Sequence, residues 1–485
     1  MSARRQKLSD VLRRSLDHDP VITGVTADSR KVGPGALFAA LPGSDADGRA
    51  FIPQALASGA AAVLAPLDTP DGAAPVLVRS HDVRRAYALA ARSFYDAQPH
   101  TCVAVTGTNG KTSVATFCRQ IWTALGHRAA SMGTLGLVVG RDEALTGPGL
   151  TSPDAGEAAR HMAELAGAGV THVALEASSH GLDQRRLDGI ALKAAAFTNL
   201  SQDHLDYHGD MEAYRRAKLR LFETLLARGR TAVLNADADA YPAFAACSIM
   251  AGLDLYGVGE RGRDLTLIER EAVADGQILT IDVKGRSRRV HLPLAGSFQA
   301  ANALVAAGLC IASGDDAQDV LEALSGIEGA RGRMQRVGQT EQGAAVYVDY
   351  AHTPDGLETV LGALKPHAHG RLIVVFGAGG DRDRSKRPLM GQVAARLADV
   401  AIVTDDNPRS EDPAAIRAEV MAGGAGLIEI AGRAEAIGAA VAMLAQGDLL
   451  IVAGKGHEQG QIIGKTVYPF DDASEVARAL KDRGT

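Results

Sequence analysis

Val103-Ala104-Val105-Thr106-Gly107-Thr108-Asn109-Gly110-Lys111-Thr112 decides the fold of this chain. A β-branched run ends in a glycine-rich turn, and an apolar stripe follows. Val114, Phe117, Cys118, Ile121, Trp122 and Leu125 recur at helical spacing on one face. The pattern predicts a strand, a loop and a helix with a continuous buried side, with Gly126 supplying the C-terminal cap. A loop that ends in Gly-Lys-Thr at a helix start aims backbone N–H groups and the positive end of the helix dipole at phosphates. Lys111 is then placed to reach the β and γ oxygens, and the Thr112 hydroxyl to ligate Mg²⁺. The loop is a shortened variant: five residues before Gly110, where the general pattern has glycine, stands Val105.

Outward from this loop, short apolar runs alternate with helical-period segments, which is the signature of α/β architecture with mainly parallel strands. Before it, ALFAALPG, AAVLAP and the helical VRRAYALAARSFYDAQP, with Pro99 as its stop, make a first unit. After it come the strand-like THVALEAS, AAAFTNLS and TAVLNAD. A third unit follows GARGRMQRV, with strands AAVYVDYA, RLIVVFGAGG, DVAIVTDDN and DLLIVAGKG and helices KRPLMGQVAARLA and DPAAIRAEVMAG. The expected architecture is three α/β domains over residues 1–98, 99–332 and 333–485: a first substrate-binding domain, a central P-loop domain with a parallel sheet, and a Rossmann-like C-terminal domain. A length of 485 residues suits three domains at roughly 150 residues each.

Composition removes several function classes. With 51 Lys+Arg against 57 Asp+Glu, the net charge is −6, opposite to the basic excess of a general nucleic-acid binder. Aromatic residues make up only 4%, too few for wide base-stacking platforms. Cys102, Cys118, Cys247 and Cys310 form no CxxC pair, so they read as small buried hydrophobes in a reducing compartment. The amino terminus is charged, and no apolar run approaches ~18 residues. The expectation is a cytoplasmic protein that engages neither nucleic acid nor membrane.

TGTNGKT resembles the ATP loop of the Mur ligase family, amide-forming enzymes of peptidoglycan precursor assembly, to which folylpolyglutamate synthase is a cousin. Other segments resemble the branch that adds the third residue: DSR at Asp28–Arg30, DGR at Asp47–Arg49, EASSHGL at Glu176–Leu182 and TNLSQDHLDYHG at Thr198–Gly209. So do DYAHTPD at Asp349–Asp355, GAGGDRDRSKRPLMG at Gly377–Gly391, DNPR at Asp406–Arg409 and GKGHE at Gly454–Glu458. They span nearly the whole chain in the family's order.

The resemblance implies a reaction in which a substrate carboxylate takes the γ-phosphoryl group of ATP, and an amine then displaces phosphate from the acyl phosphate. It implies Gly107, Thr108, Asn109, Gly110, Lys111, Thr112 and Ser113 as the phosphate contacts. Asn302, Arg333, Asp349 and His352 are the implied base and ribose contacts, although Gln299 stands where the family has Asn. It further implies Lys111, Glu176, His204 and Lys218 as catalytic residues, with Mg²⁺ held by Thr112, Glu176, His204 and a carbamylated Lys218. On the residues alone, His204 reads as a core histidine and Lys218, in MEAYRRAKLRLFE, as a solvated helix lysine.

For a uridine-diphosphate muramoyl dipeptide the resemblance points to Ala27, Ser29, Ser44, Asp45 and Ala46 at the nucleotide end. Thr151, Ser152, Ser178, Gln184 and Arg186 are the corresponding residues at the peptide end. For the incoming amino acid it points to Arg382, Asp406, Asn407, Pro408, Arg409, Gly454 and Glu458, all at the ends of strand-like runs, where open α/β sheets bind ligands. meso-Diaminopimelate carries an ammonium and a carboxylate at each end, whereas lysine lacks the distal carboxylate. An arginine set to clamp that carboxylate would be left unpaired by lysine. The implied protein is a monomeric ligase that closes its C-terminal domain over the site. Two alternatives stay open: a lysine-adding or folate-extending relative, and a non-catalytic nucleotide-gated binder on the same scaffold.

Overall fold

The computed structural model describes residues 4–483 apart from Ser44, Asp45, Asp142, Pro148 and Ala274. The expected contacts at Ser44 and Asp45 therefore lie outside the described residues. By packing, the chain divides into two units, Met1–Leu265 with Val305–Val320, and Thr266–Leu304 with Leu321–Thr485.

The first unit opens with a parallel sheet of four strands taken in sequence order: Gly24–Thr26, Ala36–Ala39, Ala62–Pro66 and Leu77–Ser80. Helix Val83–Tyr95 covers it with Tyr87, Ala91 and Phe94. That helix ends at Asp96, in the left-handed conformation (φ 46°), and not at Pro99 as the sequence suggested. An aspartate tolerates that conformation and closes the helix three residues early.

The same unit holds the strands of the phosphate-loop sheet. Their spatial order is Ala129–Gly133, His172–Glu176, Thr101–Thr106, Ala194–Phe197, Thr231–Asn235 and Asp254–Gly259, all parallel. These strands are near-continuous Val, Ala, Leu and Phe because both faces are covered. The strand that feeds the phosphate loop lies between two later strands, so the order reverses there. Such a switch point opens a crevice at the carboxyl ends of the strands. Helix Lys111–Ala124 follows the loop and buries Val114, Phe117, Cys118, Ile121 and Trp122, as its spacing predicted; Leu125 is its cap, with Gly126 beyond at φ 85°.

The second unit carries a six-stranded sheet. Gln335–Gln339 is its antiparallel edge, followed by Ala345–Asp349, Leu449–Ala453, Leu372–Phe376, Val400–Val403 and Ile428–Glu429 in parallel. Its helices include the expected Lys386–Leu397 and Pro413–Met421. Antiparallel strands also occur beside the mainly parallel ones. Leu265–Val273, Gly276–Val283 and Arg286–Leu292 form an antiparallel meander. Lys284 (φ 53°) and Gly285 (φ 80°) make the two-residue turn that joins its last pair. Among the described residues, no helix is long and apolar enough to cross a membrane.

Candidate functional site

In the first unit the phosphate loop is held by the segment after strand Ala194–Phe197. Thr108 N–H donates to Asn199 O (2.9 Å) and Asn109 N–H to Asn199 Oδ1 (2.9 Å), while Thr198 Oγ1 donates to Asn109 O (2.6 Å). Thr108 Oγ1 accepts from Ser201 N–H at 2.9 Å and lies 3.2 Å from Tyr214 Oη. Gly107 has φ 152°, and a Cβ there would come within 1.9 Å of Thr198 Oγ1, so only glycine lets the two segments close. Lys111 Nζ donates to Gly107 O and Thr108 O, both at 2.8 Å, which folds the lysine over its own loop. Thr112 and Ser113 are buried in the first turn of the helix.

Glu176 is the hub beside this loop. Its register opposite Val105 brings the carboxylate level with the loop. Thr112 Oγ1 donates to Glu176 Oε2 (2.9 Å), and Thr134 supplies its N–H to Oε1 (2.8 Å) and its hydroxyl to Oε2 (3.2 Å). Motif reading missed Thr134, because a threonine after a strand carries no signal of its own. Gly133 precedes it, and a Cβ there would fall 2.1 Å from Glu176 Oε1. Gly133→Ala is therefore expected to turn the carboxylate away from Thr112. Losing such an orienting contact costs metal ligands ~10–100-fold in affinity. Calorimetry of ATP binding at a series of Mg²⁺ concentrations checks this, and an unchanged Mg²⁺ dependence would contradict it.

Lys218 corrects its solvated reading. In helix Met211–Arg220 it is 1% exposed, and its Nζ donates to Gly107 O (2.7 Å) above the Tyr214 ring (4.4 Å). Burial, followed by repulsion from Lys111, pushes its pKa well below the ordinary lysine value, and burial pushes the Tyr214 phenol up to about 12. His204 is likewise not a core residue: its side chain is 48% exposed, in a left-handed backbone (φ 54°). Its ring lies edge-on to His180 (4.8 Å) and near Tyr214 (6.3 Å).

The expected peptide-end residues join this hub. Thr151 Oγ1 meets Thr134 Oγ1 (3.0 Å), and Ser152 Oγ donates to Glu176 O (2.9 Å) and lies 3.1 Å from Ser178 Oγ. Arg186 donates to Ser152 O (2.6 Å) and to Gln184 Oε1 (2.7 Å). Farther out, a cavity of about 1150 Å³ is lined by Ala27, Ser29, Phe51, Gln54, Tyr87 and Arg160 among others. Ser29 Oγ donates to Gln54 Oε1 (3.2 Å), and Asp28, held at about 2 by its bond to Arg30, caps the turn. Ala46, expected in a diphosphate- or uracil-side loop, is exposed, and its carbonyl accepts from Gly43 N–H (3.0 Å).

In the second unit, buried Asn302 donates to Gln299 Oε1 (3.1 Å), and Gln299 Nε2 donates to Arg333 O (3.3 Å). Arg333 stacks on Tyr350 at 4.4 Å. Burial raises the Asp349 carboxyl pKa, although the Met334 (2.6 Å) and Ala351 (2.8 Å) N–H groups both donate to it. His352 faces solvent with Nδ1 2.8 Å from Tyr350 O. Gly454 N–H donates to Asp349 O (3.1 Å), linking this group to the next.

That next group gathers on the ends of three strands. Asn407 is 3% exposed; its Nδ2 donates to Glu458 Oε2 (2.8 Å), and its Oδ1 accepts from Lys455 Nζ and Ile462 N–H, both at 2.9 Å. Asp406 Oδ1 accepts the Asn407 N–H (2.8 Å), and the Pro408 carbonyl accepts from Glu411 N–H (3.1 Å). Arg409 adopts φ 52°, pinned by its N–H to Ile462 O (3.0 Å) and its carbonyl from Gly464 N–H (2.7 Å). Its Nη1 donates to Gly380 O (2.8 Å), while Arg382, on the same glycine-rich turn, is exposed. Sequence reading passed over Lys455, a fully buried ammonium inside GKGHE. It also missed Arg433, whose fork holds Asp472 through two 2.7 Å bonds beneath Asp406. Buried Lys and Arg look like surface residues until their partners, far along the chain, are known.

Comparison with known proteins places the chain in a family. Residues 21–95 match the profile described as Mur ligase family, catalytic domain; 105–310 match the Mur ligase middle domain; and 332–456 match the Mur ligase glutamate ligase domain. The UDP-N-acetylmuramoyl-L-alanyl-D-glutamate–2,6-diaminopimelate ligase of Caulobacter vibrioides is 62% identical, over 98% of this chain and 99% of its own length. The enzyme of the same name from Agrobacterium fabrum is 53% identical over 95% and 94%. A solved structure of a ligase of that name is 35% identical, with a TM-score of 0.75 over 99% of this chain and 100% of that one. With identity this high across essentially every residue of both partners, the chain belongs to the Mur ligase family.

Proposed function

We propose that this chain is an ATP-dependent ligase that joins meso-diaminopimelate to UDP-N-acetylmuramoyl-L-alanyl-D-glutamate, a step of peptidoglycan precursor synthesis. The observation that carries the reading is the coupling of a phosphate loop, through Thr112, to the Glu176 hub from which Thr151, Ser152, Ser178 and Arg186 extend. A phosphoryl donor and a peptide carboxylate are thereby offered adjacent sites. The glutamyl carboxylate oxygen attacks the γ-phosphorus and ADP leaves; the incoming amine then attacks the acyl carbon, loses its proton, and phosphate leaves.

The chain's part is positioning and charge. Loop N–H groups cradle phosphate, and Lys111 swings from its resting carbonyls to the β and γ oxygens. Thr112 and Glu176 are hard oxygen donors that suit Mg²⁺, as would Lys218 once carbamylated; the His204 imidazole would supply a further ligand. The ion, when bound, neutralises charge on the transferring phosphoryl group. Asn302, Arg333, Asp349 and His352 are assigned to the nucleoside end, and Ala27 and Ser29 to the uridine cavity.

For the amino acid, Arg382 and Arg409 offer guanidinium forks to carboxylate, and Asp406 and Glu458 offer acceptors to ammonium. Lys455 acts at one remove: by donating to Asn407 Oδ1 it fixes which way that amide faces Glu458. Lys455→Met is expected to raise the KM for diaminopimelate ~10-fold while leaving the KM for ATP unchanged, in line with the loss of one charge-assisted bond. Equal changes in both constants would count against this role.

The reading is tested by ADP release with the muramoyl dipeptide, ATP and Mg²⁺ against meso-diaminopimelate, L-lysine and L-ornithine. Turnover with diaminopimelate alone supports it. Turnover with lysine keeps the ligase and discards the roles of Arg382 and Arg409. Silence with all three overturns it.

A further inference from the structure

At the amino ends of the strands that lead to the phosphate loop and to Glu176, three donors from distant parts of the chain converge. His127 follows the phosphate-loop helix, His172 begins the strand that ends at Glu176, and Asp315 follows a later helix. One ligand atom from each lies within 4.8 Å of the other two, and His127 Nε2 stands 2.8 Å from Asp315 Oδ1. We propose that His127, His172 and Asp315 form a binding site for a divalent transition-metal ion of the zinc class, separate from the nucleotide site.

Surrounding bonds orient two of the three donors, Asp315 and His172. Trp122 Nε1–H donates to Asp315 Oδ2 (2.9 Å), which fixes the carboxylate and presents Oδ1 to the histidines. Thr171 Oγ1 lies 2.8 Å from His172 Nδ1 and 3.3 Å from Arg128 O, which can take its hydroxyl proton. When Thr171 accepts from Nδ1–H, the ring proton sits on Nδ1 and the lone pair is left on Nε2. A second hydrogen bond that fixes the tautomer of a ligating imidazole is the recurrent outer contact of zinc histidines. Two imidazoles and one carboxylate are a usual zinc donor set, and bonds of ~2.0 Å put neighbouring ligand atoms ~3.3 Å apart, inside the 4.8 Å that bounds these three donors. The His127 side chain is 35% exposed, so solvent can supply the fourth ligand. Binding through His127 Nε2 puts the proton of a neutral ring on Nδ1, with no net charge change.

The ion would tie the far end of the helix that presents Lys111 and Thr112 to the start of the strand that presents Glu176, about 13 Å away along that strand at ~3.3 Å per residue. It acts as a clamp on the body that carries the site, with no part in the chemistry.

Trp122 is the sole tryptophan of the chain, and its ring packs 5.0 Å from His172, so its fluorescence reports on the site directly. Full-length protein freed of metal by chelator is titrated with Co²⁺ while Trp122 emission is followed. Saturable quenching at one equivalent, reversed by Zn²⁺, untouched by millimolar Mg²⁺ and weakened ~100-fold or more in His172→Ala, supports the site. No saturation up to about 1 mM, or quenching that survives both His172→Ala and His127→Ala, overturns it and leaves a hydrogen-bonded clamp without an ion. Should His172→Ala fail to fold, His127→Ala decides, since its half-exposed ring is not core.

Discussion

Lys218→Ala is expected to lower kcat by ~10²–10³-fold, the usual cost of removing a preorganised charge from a phosphoryl-transfer site, while nucleotide binding falls far less. A fully buried lysine with a carbonyl and a ring face as neighbours, and Lys111 as its nearest charge, is poorly placed to remain an ammonium. Its depressed pKa populates the neutral amine, and only the neutral amine attacks CO₂. The product exchanges a positive charge for carboxylate-like oxygens at the phosphate loop, next to Gly107 O. The sign of the linkage follows. The ammonium destabilises the fold at pH values below the lowered pKa, and that cost is relieved as pH rises toward the unfolded lysine value. Chemical rescue separates the roles: formate or another short carboxylate should restore part of the Lys218→Ala rate if the missing group is an oxygen ligand. Wild-type protein stripped of CO₂ at mildly acidic pH should lose rate and recover it with bicarbonate. A Lys218→Ala enzyme with full activity, or one that no carboxylate rescues, would remove carbamylation from the mechanism.

What was readable in the sequence follows from how local each signal is. The phosphate loop, its helix and the main parallel strands declare themselves within a dozen residues, through β-branched runs, helical spacing and glycine turns. The meander over Leu265–Val273, Gly276–Val283 and Arg286–Leu292 carries a local signal too, since Lys284-Gly285 separates two alternating stretches, but sequence reading named no strand there. Motifs singled out Glu176, Asn407 and Glu458, each of which lies in a bonded cluster at strand ends. They could not find Thr134, Lys455 or Arg433, whose meaning lies in partners 42, 48 and 39 positions away. Burial also inverted two local readings: Lys218 lies inside and His204 toward solvent, because an ammonium reveals its environment only when the helix is docked.

Arg409→Ala is expected to cost ~30- to ~5,000-fold in kcat/KM for meso-diaminopimelate, about 2–5 kcal/mol for removing one partner of a buried, hydrogen-bonded charge pair. Turnover of L-lysine should hold or rise, so that the preference between the two amino acids collapses. The argument rests on how rigidly the guanidinium is presented. The Arg409 backbone is bonded on both sides to the strand Gly460–Ile463 and its turn, and one side-chain nitrogen is seated on Gly380 O. A fork held this way meets a carboxylate at little further entropic cost, and lysine would leave it desolvated and unpaired. Arg409→Lys should not restore the preference, because a point charge on a flexible stem lacks the fork. The left-handed backbone at this position (φ 52°) adds a complication, since alanine is strained there. Arg409→Asn, which tolerates that conformation, supplies the control. If both variants lose diaminopimelate turnover alike while the KM for ATP stays constant, the guanidinium itself reads the distal carboxylate. If the asparagine variant keeps diaminopimelate and still rejects lysine, selectivity lies elsewhere, with Arg382 the next residue to change.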